Sequence, residues 1–197
     1  MTNSISSDAI KQLFTEARTH RSWLPKEMSD QDLKNIYELM KWGPTSANLC
    51  PARILFIKNG PEKEKLIMCL EPLNVDKVKE APVTAIIAYD QEFYEQTKKL
   101  FPHAPHFRDL YASDKAHAET TAFRNGSLQG AYFILAARAL GFDCGPMSGF
   151  HKQKLDETFF SGTSWKSNFL CNVGYGDKTK LLPRLPRLSF EETCKII

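Results

Sequence analysis

The stretch Ala81-Pro82-Val83-Thr84-Ala85-Ile86-Ile87-Ala88-Tyr89-Asp90 (81–90) carries no charge until its last residue. Small and β-branched residues follow one another without polar alternation, so neither face is offered to water. Such a run marks a central strand covered on both sides. A chain with such a strand must supply helices for both faces, and its flanks are read with that need in mind.

Upstream, Ala52-Arg53-Ile54-Leu55-Phe56-Ile57-Lys58-Asn59 reads as a second strand. Pro61 opens a short charged helix carrying Leu66, Ile67 and Leu70. Before these, Ser6, Ser7 and Asp8 can cap a first helix with Ile10, Leu13 and Phe14 on one face, fading at Arg18. Ser29 with Asp32 has the spacing of a capping box for the next helix, whose stripe is Leu33, Ile36, Tyr37 and Met40. Gly43-Pro44 stops that helix.

Downstream, a helix with Phe93, Tyr94 and Leu100 is expected, then a loop over 102–111. The longest helical pattern runs from Lys115 to Leu140. Its second half, 128–140, is apolar nearly all round and reads as buried. A short strand follows in 142–150, ending in a Gly-Pro loop, then a short helix over 151–159 and a last strand over 165–176. The order mixes α and β elements.

With 42% hydrophobic and 25% charged residues, the 197-residue chain has the composition of one soluble globular domain, 1–197. A formal charge of +3 argues against nucleic acid as the main partner. The five cysteines form no CxxC and lack accompanying histidines at zinc spacing, so reduced thiols and no metal site are expected. The polar N-terminus is not a secretory signal, and no run approaches a membrane span, which points to a cytoplasmic protein without a membrane partner. Neither GxGxxG nor GxxxxGK[ST] occurs.

Three bends share one chemistry. Arg18-Thr19-His20-Arg21-Ser22 offers guanidiniums, hydroxyls and an imidazole. Gly43-Pro44-Thr45-Ser46-Ala47-Asn48-Leu49-Cys50-Pro51 is longer than a turn requires and bears hydroxyls and an amide. Gly145-Pro146-Met147-Ser148-Gly149 exposes backbone with little obstruction, and Arg184 and Arg187 recur in the tail. Forked guanidiniums match phosphate oxygens, and slim bends let backbone N–H groups reach a flat ring. Together they describe a site for a phosphorylated planar cofactor.

With these motifs the chain resembles the FMN-dependent nitroreductase family over nearly its whole length. RTHRSW stands where that family carries its N-terminal phosphate-binding arginine, although many members read Arg-x-Ser-x-Arg and this chain has His20 and Ser22 at the later positions. GPTSANLCPARILFI is similar to the family's small-residue loop and first strand, LAARALGFDCGPMSGF to its central helix and flavin-facing loop, and NVGYGD with PRLPRLSFEE to its closing strand and C-terminal arginine. The resemblance implies an α+β, nitroreductase-like fold, with a central, mostly antiparallel sheet flanked by helices, in a homodimer holding FMN between subunits. It implies phosphate contacts from Arg18 and Arg184, with His20, Arg21 and Arg187 as second choices. Thr45, Ser46 and Asn48 would meet the ring or ribityl chain, Pro146, Met147, Ser148 and Gly149 its N5 and O4 edge, and Asn74 the flavin as well.

Within the family the chain is most similar to the malonic semialdehyde reductase branch. That implies NAD(P)H as co-substrate and ping-pong reduction of a small 3-oxo acid to 3-hydroxypropanoate through flavin N5, in pyrimidine breakdown, with no side chain as dedicated catalyst. Arg21, Arg53 and Arg108 are then candidates for the substrate carboxylate. The alternatives are a broad nitro- or quinone reductase with the same cofactor and a flavin-binding protein without turnover. His103, His106, His117 and His151 read as surface residues, and Cys50 as a small buried hydrophobe near the site.

Overall fold

The computed structural model of the chain describes residues 3–197. Four strands form one antiparallel sheet in the order β1-β2-β4-β3: β1 (Ala52–Lys58), β2 (Val83–Asp90), β3 (Asp143–Met147) and β4 (Trp165–Gly174). The stretch 81–90 supplies β2, which lies inside the sheet between β1 and β4, with all eight residues buried. Its residues alternate between two cores. Val83, Ala85 and Ile87 pack with Leu33, Ile36 and Met40 of α2 (Asp30–Met40) and with Phe133, Ala136 and Ala137 of α7 (Lys115–Ala139). Ile86 and Ala88 pack with Leu66 of α3 (Pro61–Ile67), Val78 of α4 (Pro72–Glu80) and Leu155 of α8 (Lys152–Phe159). Each isoleucine so placed contributes about 1.5–3 kcal/mol of burial. The unbroken run is thus explained by helices on both faces of an antiparallel strand.

The helix signals hold where caps are strong. Ser29 and Asp32 close a reciprocal capping box at α2, and Asp114 caps α7 through the His117 N–H at 3.0 Å. The first helix is shorter than its apolar face suggests: α1 (Ser7–Ile10) is a single turn that widens into a π-type turn over Lys11–Thr15. Two helices depart from the sequence reading. α4 occupies 72–80, where no element was expected, and α6 (His106–Ser113) occupies much of the expected loop 102–111. Phe107 and Tyr111, one helical turn apart, pack on Phe101 and Phe93 respectively and explain why α6 folds. The short α5 (Thr97–Leu100) precedes it, and α9 (Phe190–Thr193) is one capped turn in the tail.

The second half of α7 is not buried all round. Gln129, Gly130, Phe133, Ala136 and Ala137 face inward, while Leu128 and Leu140 are exposed. The tail also exposes Leu182, Leu185, Leu188 and Phe190. Among the described residues, no helix is long and apolar enough to cross a membrane.

Candidate functional site

The segment 18–22 runs against the open end of β3. Thr19 bridges Cys144, the His20 N–H donates to the Cys144 carbonyl at 3.0 Å, and the Asp177 N–H donates to the Ser22 carbonyl at 3.0 Å. This places Arg18 beside the tail. The two arginines there engage reciprocally: Arg18 Nη2 donates to the Leu182 carbonyl, and Arg184 Nη2 donates to the Ala17 carbonyl at 2.9 Å. Each lashes its own segment to the backbone of the other and keeps most of its N–H donors unspent. Both line a cavity of about 670 Å³ together with Arg21, Lys180 and Arg187. Arg138 lies on the same wall, and among the described residues Asp177 is the one carboxylate facing these six cations. Among the described residues, no hydrogen bond engages the Arg21 guanidinium. The donor set has the chemistry of a phosphate site.

His20 is turned the other way. It is 3% exposed, with Nε2 3.3 Å from Asp143 Oδ1 and Nδ1 pressed against Gly176. It does not line the cavity with Arg21, but it does line a neighbouring one of about 830 Å³ that also has Arg18, Arg184 and Asp143 on its wall. Asp143 feels the arrangement: burial pushes its carboxyl up, but the His20 and Gly176 hydrogen bonds and nearby charge outweigh this and hold it below its ordinary value.

The loop expected over 145–149 is only partly a loop: 145–147 continue β3, paired with β4, and the chain turns toward α4 only at Ser148 and Gly149. Asn74 is buried and donates from Nδ2 to the Gly149 carbonyl at 2.9 Å, while the Glu71 N–H donates to the same carbonyl at 3.1 Å. Gly149 is glycine for reasons of space: a Cβ there would lie 2.6 Å from Asn74 Nδ2. Pro146 and Ser148 are exposed, and Met147 packs into the core beneath α4. Lys77, missed by the sequence reading, completes this group. Its Nζ donates to Asn74 Oδ1 at 2.8 Å, and burial, then the Arg21 charge, lower its pKa. Asn74 and Lys77 are one turn apart, a signal legible only once α4 is recognised as a helix. Lys77, Asn74 and Gly149 are therefore joined by hydrogen bonds, and the Arg21 charge is felt at Lys77.

The bend 43–51 lies on another cavity. Ala47, Asn48 and Cys50 all adopt left-handed backbone, with φ of 48°, 54° and 43°. Non-glycine residues hold such conformations only when their surroundings fix them. Two buried amides of α7 do so: Asn125 Oδ1 accepts the Ser46 N–H and Gln129 Oε1 accepts the Ala52 N–H, each at 2.8 Å. Thr45 Oγ1 accepts the Cys50 N–H at 3.2 Å, and Asn48 Nδ2 donates to the Leu100 carbonyl at 3.0 Å. Neither Asn125 nor Gln129 was singled out from sequence, because each sits in a largely apolar helix; Gln129 also lies on the wall of the cavity beside this bend. Asn48 and Cys50 line a cavity of about 690 Å³ with Trp42 and Arg53, separate from the one lined by Arg18 and Arg184.

Two of the cations expected for a substrate carboxylate are occupied. Arg53 donates to Asp90 Oδ2 at 2.6 Å and to the Cys50 and Ala52 carbonyls. Arg108 is engaged by Glu95 and Asp109. His103, His106, His117 and His151 are exposed, and Cys50 is half-buried.

The profile of the nitroreductase family matches residues 15–175, four-fifths of the chain and every strand described above. The chain belongs to the nitroreductase family. A protein of Polynucleobacter asymbioticus named "Putative NADH dehydrogenase/NAD(P)H nitroreductase" is 52% identical to this nitroreductase-family chain over 197 residues, all of both proteins. Two crystal structures described as a "putative nitroreductase" share its fold. One, from Bacillus subtilis, has a TM-score of 0.88 at 20% identity, over 98% of this chain and 100% of that one. The other, from Exiguobacterium sibiricum in complex with FMN, has a TM-score of 0.86 at 19% identity, over 100% of both. The nitroreductase-like fold expected from the sequence is thus observed, as an open antiparallel sheet of four strands packed between helices.

Proposed function

We propose that this chain is an FMN-dependent NAD(P)H oxidoreductase that reduces malonic semialdehyde to 3-hydroxypropanoate. The observation that carries the cofactor is the cavity shared by Arg18, Arg21, Arg184, Arg187 and Lys180, whose cations fit a phosphate, joined through Lys77 to the amide and backbone groups of Asn74 and Gly149. Family membership, the 52% identical relative and an FMN-bound structure of the same fold support this reading.

FMN, when bound, supplies hydride acceptance from NAD(P)H and hydride donation to the acceptor through N5. The chain's residues bind and orient. Arg18 and Arg184 would hold the phosphate by charge-assisted hydrogen bonds, with Arg187 adding charge. Asn74 fixes the Gly149 carbonyl and thereby the bend 146–149 that borders the ring. Lys77 places a positive charge beside that bend, where it stabilises negative charge on a ring bound there. Thr45, Ser46 and Asn48 belong to a second half-site, which a homodimer brings to the arginine half-site of the other copy. The exposed leucines of the tail and of α7 are suited to burial in that contact. No side chain serves as a dedicated acid.

Arg21 is the cation left for the semialdehyde carboxylate, since Arg53 and Arg108 are paired. Those same pairings favour a second reading, in which the acceptor is an uncharged nitro or quinone compound. Purified protein should carry flavin absorbance, and kcat/KM should favour malonic semialdehyde over nitroaromatics and quinones. Colourless protein that takes up no added FMN removes the cofactor assignment. Preference for the uncharged acceptors removes only the semialdehyde.

A further inference from the structure

Asn172 sits in β4, fully buried, and touches none of the cavities described above. Its register places it opposite Thr84 of β2 on one side and Gly145 of β3 on the other. The Thr84 hydroxyl donates to Asn172 Oδ1 at 2.6 Å, and Asn172 Nδ2 donates to the Lys77 carbonyl at 2.9 Å. That carbonyl belongs to the last turn of α4, where the helix ladder runs out. A polar side chain at the centre of a sheet would otherwise be costly, since leaving it unpaired forfeits its hydration. Here both ends of the amide are used, and what they join is the sheet and the helix bearing Asn74 and Lys77.

We infer that Asn172 is a positioning residue, whose buried amide sets α4 against the bend 145–149 and so fixes the FMN-facing groups on both. The circuit is closed. Asn172 holds α4 through the Lys77 carbonyl, α4 holds Gly149 through Asn74 Nδ2, and β3 returns from Gly149 to the Gly145–Asn172 pair. Removing the link at Asn172 takes away the side-chain hydrogen bond between the sheet and the last turn of α4, leaving that helix tied at Gly149 through Asn74 and packed through Val78. Lys77 and Asn74, carried by that helix, are then less firmly placed. An outer hydrogen bond that locks a contact group in this way is what separates a precise site from a loose one. The inference rests on the FMN reading above.

The test compares Asn172→Asp with Thr84→Val in the full-length holoprotein. Asn172→Asp preserves shape and the acceptor for Thr84 but removes the N–H donor to Lys77. Thr84→Val removes the sheet-side hydroxyl and leaves the link to α4. The measurements are melting temperature, FMN affinity by fluorescence quenching, and the midpoint potential of bound FMN. Asn172→Asp should weaken FMN binding by about tenfold, the equivalent of one lost hydrogen bond, and lower the potential. Thr84→Val should lower the melting temperature while leaving affinity and potential near wild type. Should the aspartate variant fail to fold, Asn172→Ser takes its place with the same expected order. Equal affinity and potential in all three proteins, or losses that track melting temperature alone, overturn the inference. If wild-type protein binds no FMN, it is the cofactor reading that fails. Hydrogen exchange then decides the positioning itself: faster exchange across 74–80 in the Asn172 variant, but not in Thr84→Val, supports it, and unchanged exchange overturns it.

Discussion

Replacing Arg18 by alanine removes one of two guanidiniums that reach across the cavity mouth. Of its five N–H donors, one is spent on the Leu182 carbonyl, so the group is already oriented by the tail before any anion arrives. A hydrogen bond to a charged group contributes about 1.5–3 kcal/mol, so the FMN dissociation constant should rise roughly ten- to one-hundred-and-fifty-fold. The lost bond to Leu182 adds little, because that segment is exposed and water can replace the donor. Arg18→Lys keeps the charge but loses the fork, and should fall between wild type and alanine. Titration of apoprotein into FMN, followed by flavin fluorescence at low and moderate salt, reads both effects. The alanine variant should also show a shallower salt dependence, since one screened charge is gone. A double variant with Arg184→Ala should lose less than the sum of the singles, because the two segments position each other. A dissociation constant unchanged in Arg18→Ala, with the same salt slope, would refute the phosphate assignment.

At Gly176 an added Cβ would lie 1.9 Å from His20 Nδ1 and 2.2 Å from Cγ, in a place where the ring is held by Asp143 and packs near Trp23. Gly176→Ala should cost about 1–3 kcal/mol and lower the melting temperature by several degrees; an unchanged melt would show that the ring can yield. Asn125→Ala leaves the Ser46 N–H without its acceptor and should cost about 1 kcal/mol while speeding proteolysis within 45–50, read by limited digestion of the folded protein. Asp143 is held below its ordinary pKa of 3.8, so its stabilising effect is present above that value and is lost as pH falls through the lower folded value. Urea unfolding across acid pH should therefore show wild type more stable than Asp143→Asn near neutrality and the two converging in acid. A gap that stays constant with pH would contradict this.

What the sequence made legible depended on whether a residue's reason was local. β2 was readable because two-sided burial writes itself as an unbroken apolar run. The α2 start was readable because Ser29 and Asp32 satisfy each other within four residues. α4 was not, because its inward face is Asn74 and Val78 while Leu73 is 85% exposed, so its apolar pattern is scrambled. The reason Asn74 is buried lies at Gly149, far away in the chain. α6 was hidden by Pro102 and Pro105, although the second of these serves as its N-cap position. Arg18, Arg184, Asn74 and the bend 146–149 were each singled out from sequence, but Lys77 was not, since it gains meaning from Asn74 and Arg21 together. His20 was read with its segment as a phosphate contact, and its burial against Gly176 depends on a contact that no local pattern records.

The bend 43–51 shows why such long-range support matters. Left-handed backbone at Ala47 and Cys50 is unfavourable for residues with a Cβ, by on the order of 1 kcal/mol each. An unsupported loop of this length would relax to ordinary turn geometry. It does not, because α7 presents Asn125 and Gln129 one turn apart and takes the N–H groups at both ends of the strained segment. The Tyr132 hydroxyl adds a third tie at the Pro44 carbonyl, 3.0 Å away. The strain therefore has no role in holding the fold, which would be better off without it. Its consequence is local: it places Asn48 and Cys50 on the wall of the cavity lined by Trp42 and Arg53, in a bend braced by a long helix. A backbone kept in an unfavourable shape by buried amides from the longest helix is the arrangement expected of a preorganised ligand wall, and the arginine-lined cavity, braced where Arg18 and Arg184 tie the segment 17–18 to the tail, follows the same logic with charge in place of strain.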